Sequence, residues 1–532
     1  MRFLPLAVTC TLLMGCPAGS PGGDGEPACD FVDEYGDWID DRDEGTADLD
    51  NDFVLDDDDS DADGDGLYDA EEAGDDDPCT PPIDSDDDGQ PDYKDLDSDS
   101  DGLSDRDEHE RTGTSPTDPD TDGDGYDDGV EAVAGTDPRD PDSRIPPEDF
   151  YVVLPYDDPD DPDDDIPPQT PQLAFGTVLE LADVFFLVDT SQSMGEAIRN
   201  VQDSLEDVIL PGLQDAIPDV QIGVGEFEDF PVDPYGWDPD NPLALDCDDR
   251  PFTLQQRITA DEGTVADALS RLDTPLGCGN DRAESAVEAL RQVATGAGIE
   301  PWVAESEPCP EDPDGGGPPL GAACFRPGAQ PIIVLVSDAP MHNGPGGLDP
   351  YVGLPGVANY GDALAALREI GARVVGLLVE DDDLVRSQME AFALDTGTVD
   401  PDNSPLVFDA PAGEAGEQLV DAVTRLVGAT PQDISIAIED HPDDAFDATR
   451  FVTDVAPALA DPYARTDGTG FLGVPPGGTV WFQLTFANPI VQTQDETRVY
   501  RATIRILGNG VALLDTRNVY VVVPTEDGTF LI

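Results

Sequence analysis

Lysine is all but missing: Lys94 is the single one in a chain of 532 residues. Histidine is scarce too, and His109, His342 and His441 are scattered. Cys-x-x-Cys pairs are absent, so the usual spacing of a zinc site is not there. There is no Ser/His/Asp or Cys/His constellation for nucleophilic catalysis, and no apolar run long enough for a stable membrane span. Only 24 Lys and Arg oppose 119 Asp and Glu, for a formal net charge of −95. Simple Coulomb repulsion excludes nucleic acid and anionic lipid surfaces as partners, whereas cations are attracted. The length suits about three domains, and a 38% hydrophobic content allows at least one sizeable core.

What is present is unevenly spread. Roughly half the carboxylates precede residue 166, whereas a salt-adapted surface would spread them evenly. The start, "MRFLPLAVTCTLLMGC", has one Arg before a short apolar run that ends in Leu13-Met14-Gly15-Cys16. It resembles a bacterial lipoprotein signal. The resemblance implies removal of residues 1–15, acylation of Cys16 and attachment to the cell envelope, as an outer membrane lipoprotein or at the cell surface. The alternative is an ordinary secretory signal, and in either case the protein is exported. Export permits disulfides, and six cysteines remain beyond Cys10 and Cys16. Grouped by domain they suggest Cys29–Cys79, Cys247–Cys278 and Cys309–Cys324, although spacing alone does not fix the pairing.

Composition divides the rest. Residues 16–60 are Gly, Pro and acid rich and read as a flexible tether. An acidic repeat region follows at 61–143, then a Pro/Asp linker at 144–171. From 172 to 430 short apolar strands alternate with helical stretches, which predicts a parallel, doubly wound α/β domain. Residues 431–532 hold strands only ("TVWFQLTF", "YRATIRIL", "NVYVVVP") and predict a small β-sandwich.

The acidic region has a register that a solvated tail would not keep. Asp61, Asp63, Asp65, Asp69 and Glu72 stand at positions 1, 3, 5, 9 and 12 of a calcium loop, with Gly66 at position 6. Alternation turns the first three carboxylates to one centre, and Glu72 can reach back with two oxygens. The pattern recurs as Asp84, Asp86, Asp88, Asp92 and Asp95, whose last, shorter arm predicts weaker binding. It recurs again as Asp97, Asp99, Asp101, Asp105 and Glu108, and as Asp120, Asp122, Asp124, Asp128 and Glu131. Loops one and two repeat as loops three and four after 36 residues, because 97 − 61 and 120 − 84 agree. These segments resemble thrombospondin type 3 repeats. The resemblance implies Ca2+ ions wrapped by chain with little core, and hence a calcium-stiffened stalk that expands without metal.

A second cation site is expected where "ADVFFLVD" ends. Asp189, Ser191 and Ser193 lie past the carboxyl end of this buried strand, where open α/β sheets place ligands. A carboxylate and two hydroxyls on one loop can share a hard cation; as helix caps they would need none. "PIIVLVSDAPMHN" is a further buried strand, ending in Asp338, and "GCGNDRAESAVEAL" sets Asp281 and Glu284 before a helix. Together these residues resemble the metal-ion-dependent adhesion site of von Willebrand factor A domains, most like those of integrin β subunits and bacterial relatives. The resemblance implies Mg2+ or Mn2+ held directly by Asp189, Ser191 and Ser193. Asp338 and Glu284 would join directly or through water, and a partner's carboxylate would fill the open position. Thr274 is an alternative to Glu284. Asp281 could belong to a neighbouring metal site, although Glu196 and Ala197 only half match the other adjacent one.

Topology predicts that the insertion 228–252 leaves from the metal face and shapes partner choice, pinned there by Cys247–Cys278. The insertion 299–330, with Cys309 and Cys324, is expected at the opposite end. The expected function is a surface lipoprotein, not an enzyme, that binds a protein ligand through the metal. The alternatives are a calcium-loaded structural component of the envelope and, less favoured, a metal-dependent hydrolase using His342.

Overall fold

The computed structural model describes residues 36–524, apart from 51, 76, 78, 87–88, 144–148, 158–165, 237–248, 273–275, 278–280, 311–317, 442–445 and 493–497. Cys16, Cys29, Cys247, Cys278, Asp88 and Thr274 therefore lie outside the described residues. The chain divides into two compact units, one of residues 1–144 with 528–532, the other of 145–527.

The first unit has little regular structure. Its helices are single turns, such as Asp69–Glu72 and Asp105–Asp107, or at most the seven residues Asp128–Ala134. The core is correspondingly small: Ile39, Ala62, Ala73 and Tyr93 form one buried cluster. Ile39 belongs to the stretch expected to be a free tether. Residues 36–60 instead fold with the repeats, because Ile39 offers an apolar side chain to that cluster and Lys94 reaches back to Asp56 at 3.2 Å. Composition hid this, since one isoleucine among many acids barely changes the average.

The second unit opens with two strands, β1 (Phe150–Val153) and β2 (Gln172–Gly176). The α/β sheet then takes β3 (Leu181–Asp189), β4 (Asp219–Phe227), β5 (Thr253–Thr259), β6 (Gln330–Ser337), β7 (Arg373–Leu378) and β8 (Val407–Asp409). Its order is β5-β4-β3-β6-β7-β8, parallel except for β5, so the chain winds outward in both directions from β3. Central β3 is covered on both faces. Val184, Phe186 and Val188 face a core shared with the helices Gly195–Ser204 and Ala415–Ala429. Phe185 and Leu187 alternate to the other core, with the helices Ala286–Thr295, Tyr360–Glu369 and Asp383–Asp395.

The remaining strands are β9 (Gln432–Asp440), β10 (Val452–Asp461), β11 (Arg465–Thr466), β12 (Phe471–Val474), β13 (Thr479–Phe486), β14 (Arg498–Gly508) and β15 (Ala512–Val523). They form the expected sandwich, but not alone. One sheet runs β1-β15-β14-β9-β12-β11 and the other β10-β13-β2. Strand β1 lies parallel to β15, Phe150 opposite Val519, and β2 pairs antiparallel with β13. Inward side chains such as Phe175, Phe482, Phe486, Ile504 and Val521 are buried together. Two boundaries are thereby corrected. The stretch 144–171 is more than a linker, since "FYVV" supplies an edge strand, and 172–176 belongs to the sandwich. The α/β module is inserted in the sandwich, leaving after Gly176 and returning before Gln432. Four apolar residues amid Pro and Asp gave too weak a period for the sequence to reveal this.

Candidate metal centres

Each acidic loop is built by the same hydrogen bonds. In loop one the amide of position 2, Ala62, donates to Asp69 (2.8 Å) and that of Asp65 to Asp63 (3.0 Å). Those of Gly66 and Leu67 donate to Asp61 and Asp65. Loop three repeats the set at Ser98, Asp101, Gly102 and Leu103, and loop four at Thr121, Asp124, Gly125 and Tyr126. In loop two the amides of Ser85 and Gly89 make the corresponding bonds to Asp92 and Asp84. The glycines at position 6 all take a left-handed backbone, with φ between 94° and 101°. At several of these carboxylates, Asp63 and Asp65 among them, one oxygen is thus spent on positioning and the other is left over.

The left-over oxygens are the groups that a metal would bind. Buried oxygens without a hydrogen-bond partner include Asp63 Oδ2, Asp65 Oδ2, Glu72 Oε1, Asp84 Oδ1, Asp97 Oδ1, Asp99 Oδ2, both oxygens of Glu108, Asp122 Oδ2, Asp124 Oδ2 and Glu131 Oε2. Asp61, Asp63 and Asp65 bring one oxygen each to within 4.8 Å of the others. Burial, with the charge of the neighbouring aspartates, raises Asp63 to about 8, Glu72 to about 10, Asp97 to about 8 and Glu108 to about 10. Buried carboxylates without partners are costly unless a cation joins them. Hard oxygens in this number and closeness suit Ca2+.

A fifth loop was not recognised in the sequence. Asp48, Asp50, Asp52, Asp56 and Asp59 occupy the same positions, and Asp48 stands 36 residues before Asp84. Its bonds are those of the others: Leu49 to Asp56 (3.0 Å), Asp52 to Asp50 (2.9 Å), Val54 to Asp52 (2.7 Å) and Phe53 to Asp48 (3.4 Å). The pattern is masked because Phe53 stands at position 6, where the other loops have glycine. Phe53 nevertheless adopts φ 81°. The 36-residue register was the signal that could have found it.

In the α/β module, Asp189 ends β3 and is fully buried. One carboxylate oxygen accepts from the amide of Ser191 (2.9 Å), the other from the Ser337 hydroxyl (2.6 Å). The Ser191 and Ser193 hydroxyls lie 3.3 Å apart, and Ser193 hydrogen-bonds Asp338, the residue after β6. Two chain segments, the loop after β3 and the end of β6, therefore bring Asp189, Ser191, Ser193 and Asp338 together. Glu284 is fastened beside them by backbone: its amide donates to the Pro340 carbonyl (2.8 Å) and its carbonyl accepts from His342 (2.9 Å). Glu284 Oε2 is buried without a partner. Burial, then the charge of Asp189, raises the Glu284 carboxyl well above its ordinary value. Burial likewise raises Asp189 to about 6. The donor set fits a small hard cation, since oxygens converge there and, among the described residues, no ion pair supplies a counter-charge at Asp189.

Asp281 stands in a neighbouring cluster, with its carboxylate and that of Asp229 each 3.2 Å from Nε2 of His342. The other ring nitrogen faces the Asp349 carbonyl at 2.7 Å. His342 lies in a loop, as a buried link with both nitrogens facing oxygens that accept. Burial acts to lower its pKa, yet the hydrogen bond and charge of Asp229, the Asp349 carbonyl and Asp281 raise it to about 9. The described part of the insertion 228–252 packs here: the Tyr235 ring is 5.1 Å from His342, and Val352 donates to its hydroxyl. The other insertion lies at the far end of β3. Its Arg326 pairs with Asp183 at 2.7 Å, six residues or about 20 Å from Asp189. Cys309 and Cys324 form a disulfide in it. Cys79 is also disulfide-bonded.

The model of the bacterial TSP3 repeat family matches residues 120–141, the fourth loop. No curated protein matches the chain. A von Willebrand factor type A structure from Catenulispora acidiphila is similar at 11% identity and TM-score 0.28, with 68% of this chain and 75% of that one covered. The pilus adhesin SpaC from Lactobacillus rhamnosus GG, in an open conformation, is 13% identical with TM-score 0.27. That match covers 66% of this chain but only 45% of the adhesin. The VWA domain of SpRpn10 is 12% identical with TM-score 0.25, covering 45% of this chain and 94% of that domain. The chain thus combines TSP3-like repeats with a doubly wound module that bears Asp-x-Ser-x-Ser at the end of its first parallel strand.

Proposed function

We propose that this protein is an adhesion-type, metal-dependent binding protein. The α/β module grips a protein ligand through a divalent ion, Mg2+ or Mn2+, held by Asp189, Ser191, Ser193 and Asp338 with Glu284. The TSP3-like repeats, loaded with Ca2+, serve as a spacer from the envelope. The lipoprotein-like start favours attachment through an acylated Cys16, on the surface or the outer membrane; among the described residues no helix is long and apolar enough to cross a membrane. The observation that carries the reading is the buried, partnerless oxygen of Glu284 beside buried Asp189. When bound, the ion would supply a vacant Lewis-acid position for a ligand oxygen. The protein residues orient the site: Ser337 and the Ser191 amide fix Asp189, and the backbone bonds to Pro340 and His342 fix Glu284. Binding fits better than catalysis because both nitrogens of His342 are engaged and it has none left to move a proton for a substrate. The test is capture of envelope proteins by the full chain with and without chelator, and by Asp189→Ala. Capture that survives both treatments would exclude the mechanism.

A further inference from the structure

The acidic loops are not independent cups. Asp65 and Glu72 belong to loop one, and Asp105 is the ninth position of loop three. All three are buried, and each brings one carboxylate oxygen to within 4.8 Å of the others. Glu72 is nine-tenths buried, at 9% exposure, and its Oε1 has no partner; Asp65 Oδ2 has none either. Asp105 accepts from the amide and the hydroxyl of Ser98 in its own loop, at 3.0 and 2.7 Å, yet it also lies close enough to loop one for its charge to be felt at Asp63 and Glu72 and that of Asp65 to be felt at Asp105. The Arg106 guanidinium donates to the carbonyls of Gly64 and Asp65, and its charge is felt at the Asp65 carboxylate without a hydrogen bond to it. That clamp brings loop three onto loop one, yet among the described residues no ion pair reaches the carboxylates of Asp65, Glu72 or Asp105.

The arrangement occurs twice. Asp37 and Glu44 are seven residues apart, as Asp65 and Glu72 are, and they meet Asp69, the ninth position of loop one. All three of these are buried as well.

We infer that a calcium ion is shared between loops one and three, held by Asp65, Glu72 and Asp105, so that filling one loop organises the other. This rests on the calcium reading of the repeats and adds coupling to it. Asp65 would then serve two ions, one with each of its oxygens, as a bridging carboxylate does. A cation is the partner that satisfies three buried carboxylates at once; protonating them would satisfy them singly and link nothing.

The test uses the full chain and Ca2+ itself. Bound calcium is counted by equilibrium dialysis, and amide exchange is followed in peptides spanning 61–72 and 97–108, for wild type, Glu72→Gln, Asp105→Asn and the double variant. A shared ion predicts that each single variant loses the same ion and the double variant loses no more. It also predicts that each single variant speeds exchange in both peptides by about tenfold, and only when calcium is present. Losses that add, with Glu72→Gln affecting 61–72 alone and Asp105→Asn affecting 97–108 alone, overturn the inference and leave the calcium reading intact. A wild type that takes up no calcium overturns both. Should Asp105→Asn disorder its own loop, Glu72→Gln decides by itself: in calcium it must disturb 97–108, and in chelator the disturbance must vanish.

Discussion

At the scale of single residues, the two kinds of centre share one device: a backbone amide two residues on fixes a buried aspartate through one of its oxygens, as Ser191 does for Asp189 and Asp65 for Asp63. Asp189 shows what this costs. Burial raises its pKa to about 6, so at neutral pH the charged form is strained when no cation is near. Asp189→Asn removes the charge but keeps the shape. Its metal-free form should be more stable than wild type by about 1 kcal/mol, measured by urea unfolding in chelator, while ligand capture is lost. A loss of both stability and capture would mean that Asp189 is only a structural residue. The same strain sets a pH dependence in the repeats. Their carboxyls are raised from 3.8 or 4.5 to between about 8 and 10 at Asp63, Glu72, Asp97 and Glu108. The compact metal-free form then holds protons that an expanded chain releases, so its stability falls as pH rises from about 4 through those raised values. Calcium must displace these protons. Calorimetry in buffers of different ionisation enthalpy should therefore show protons released as calcium enters at pH 7, and uptake should weaken as pH falls.

At the scale of elements, Phe53 is informative because it breaks the rule the other loops keep. Its side chain is 94% exposed, so it packs against almost nothing, yet its backbone holds a left-handed φ. A non-glycine residue in that region costs about 1 kcal/mol or more. Phe53→Gly should relieve this and tighten calcium at Asp48, Asp50 and Asp52, read as a higher calcium affinity of the first transition in a titration. Gly66→Ala, at φ 101°, should weaken loop one. What the sequence could and could not reveal follows from the same logic. Alternation of acids fixes a loop whatever its surroundings, so four were legible, and "ADVFFLVD" could hardly be anything but a central strand. Contacts between distant segments left no local trace. Ile39 against Tyr93, Asp105 against Glu72 and the joining of Asp281 to His342 depend on how loops lie together, which spacing does not encode.

At the scale of the whole second unit, the insertion of the α/β module divides the sandwich's strands between the two ends of the sequence. Strand β1 covers the edge of β15, with Val152 buried. Deleting 150–153 should uncover the row of backbone groups on β15, lower the sandwich's unfolding temperature and promote self-association through the open edge. Metal-dependent capture by the module should persist below that temperature, which light scattering and a capture assay on one sample would establish. Persistence is expected because Asp189, Ser191, Ser193 and Asp338 are positioned from within the module.

The double connection has a mechanical consequence. The module joins the sandwich through residues 177–180 on one side and 430–431 on the other. A pull exerted by a tethered ligand is carried by two covalent links in parallel. The load is shared between the two links as long as β1 and β2 stay paired with β15 and β13. On the proposed adhesion reading, such an attachment would suit flow or traction, where an appendage hung from a single link would hinge.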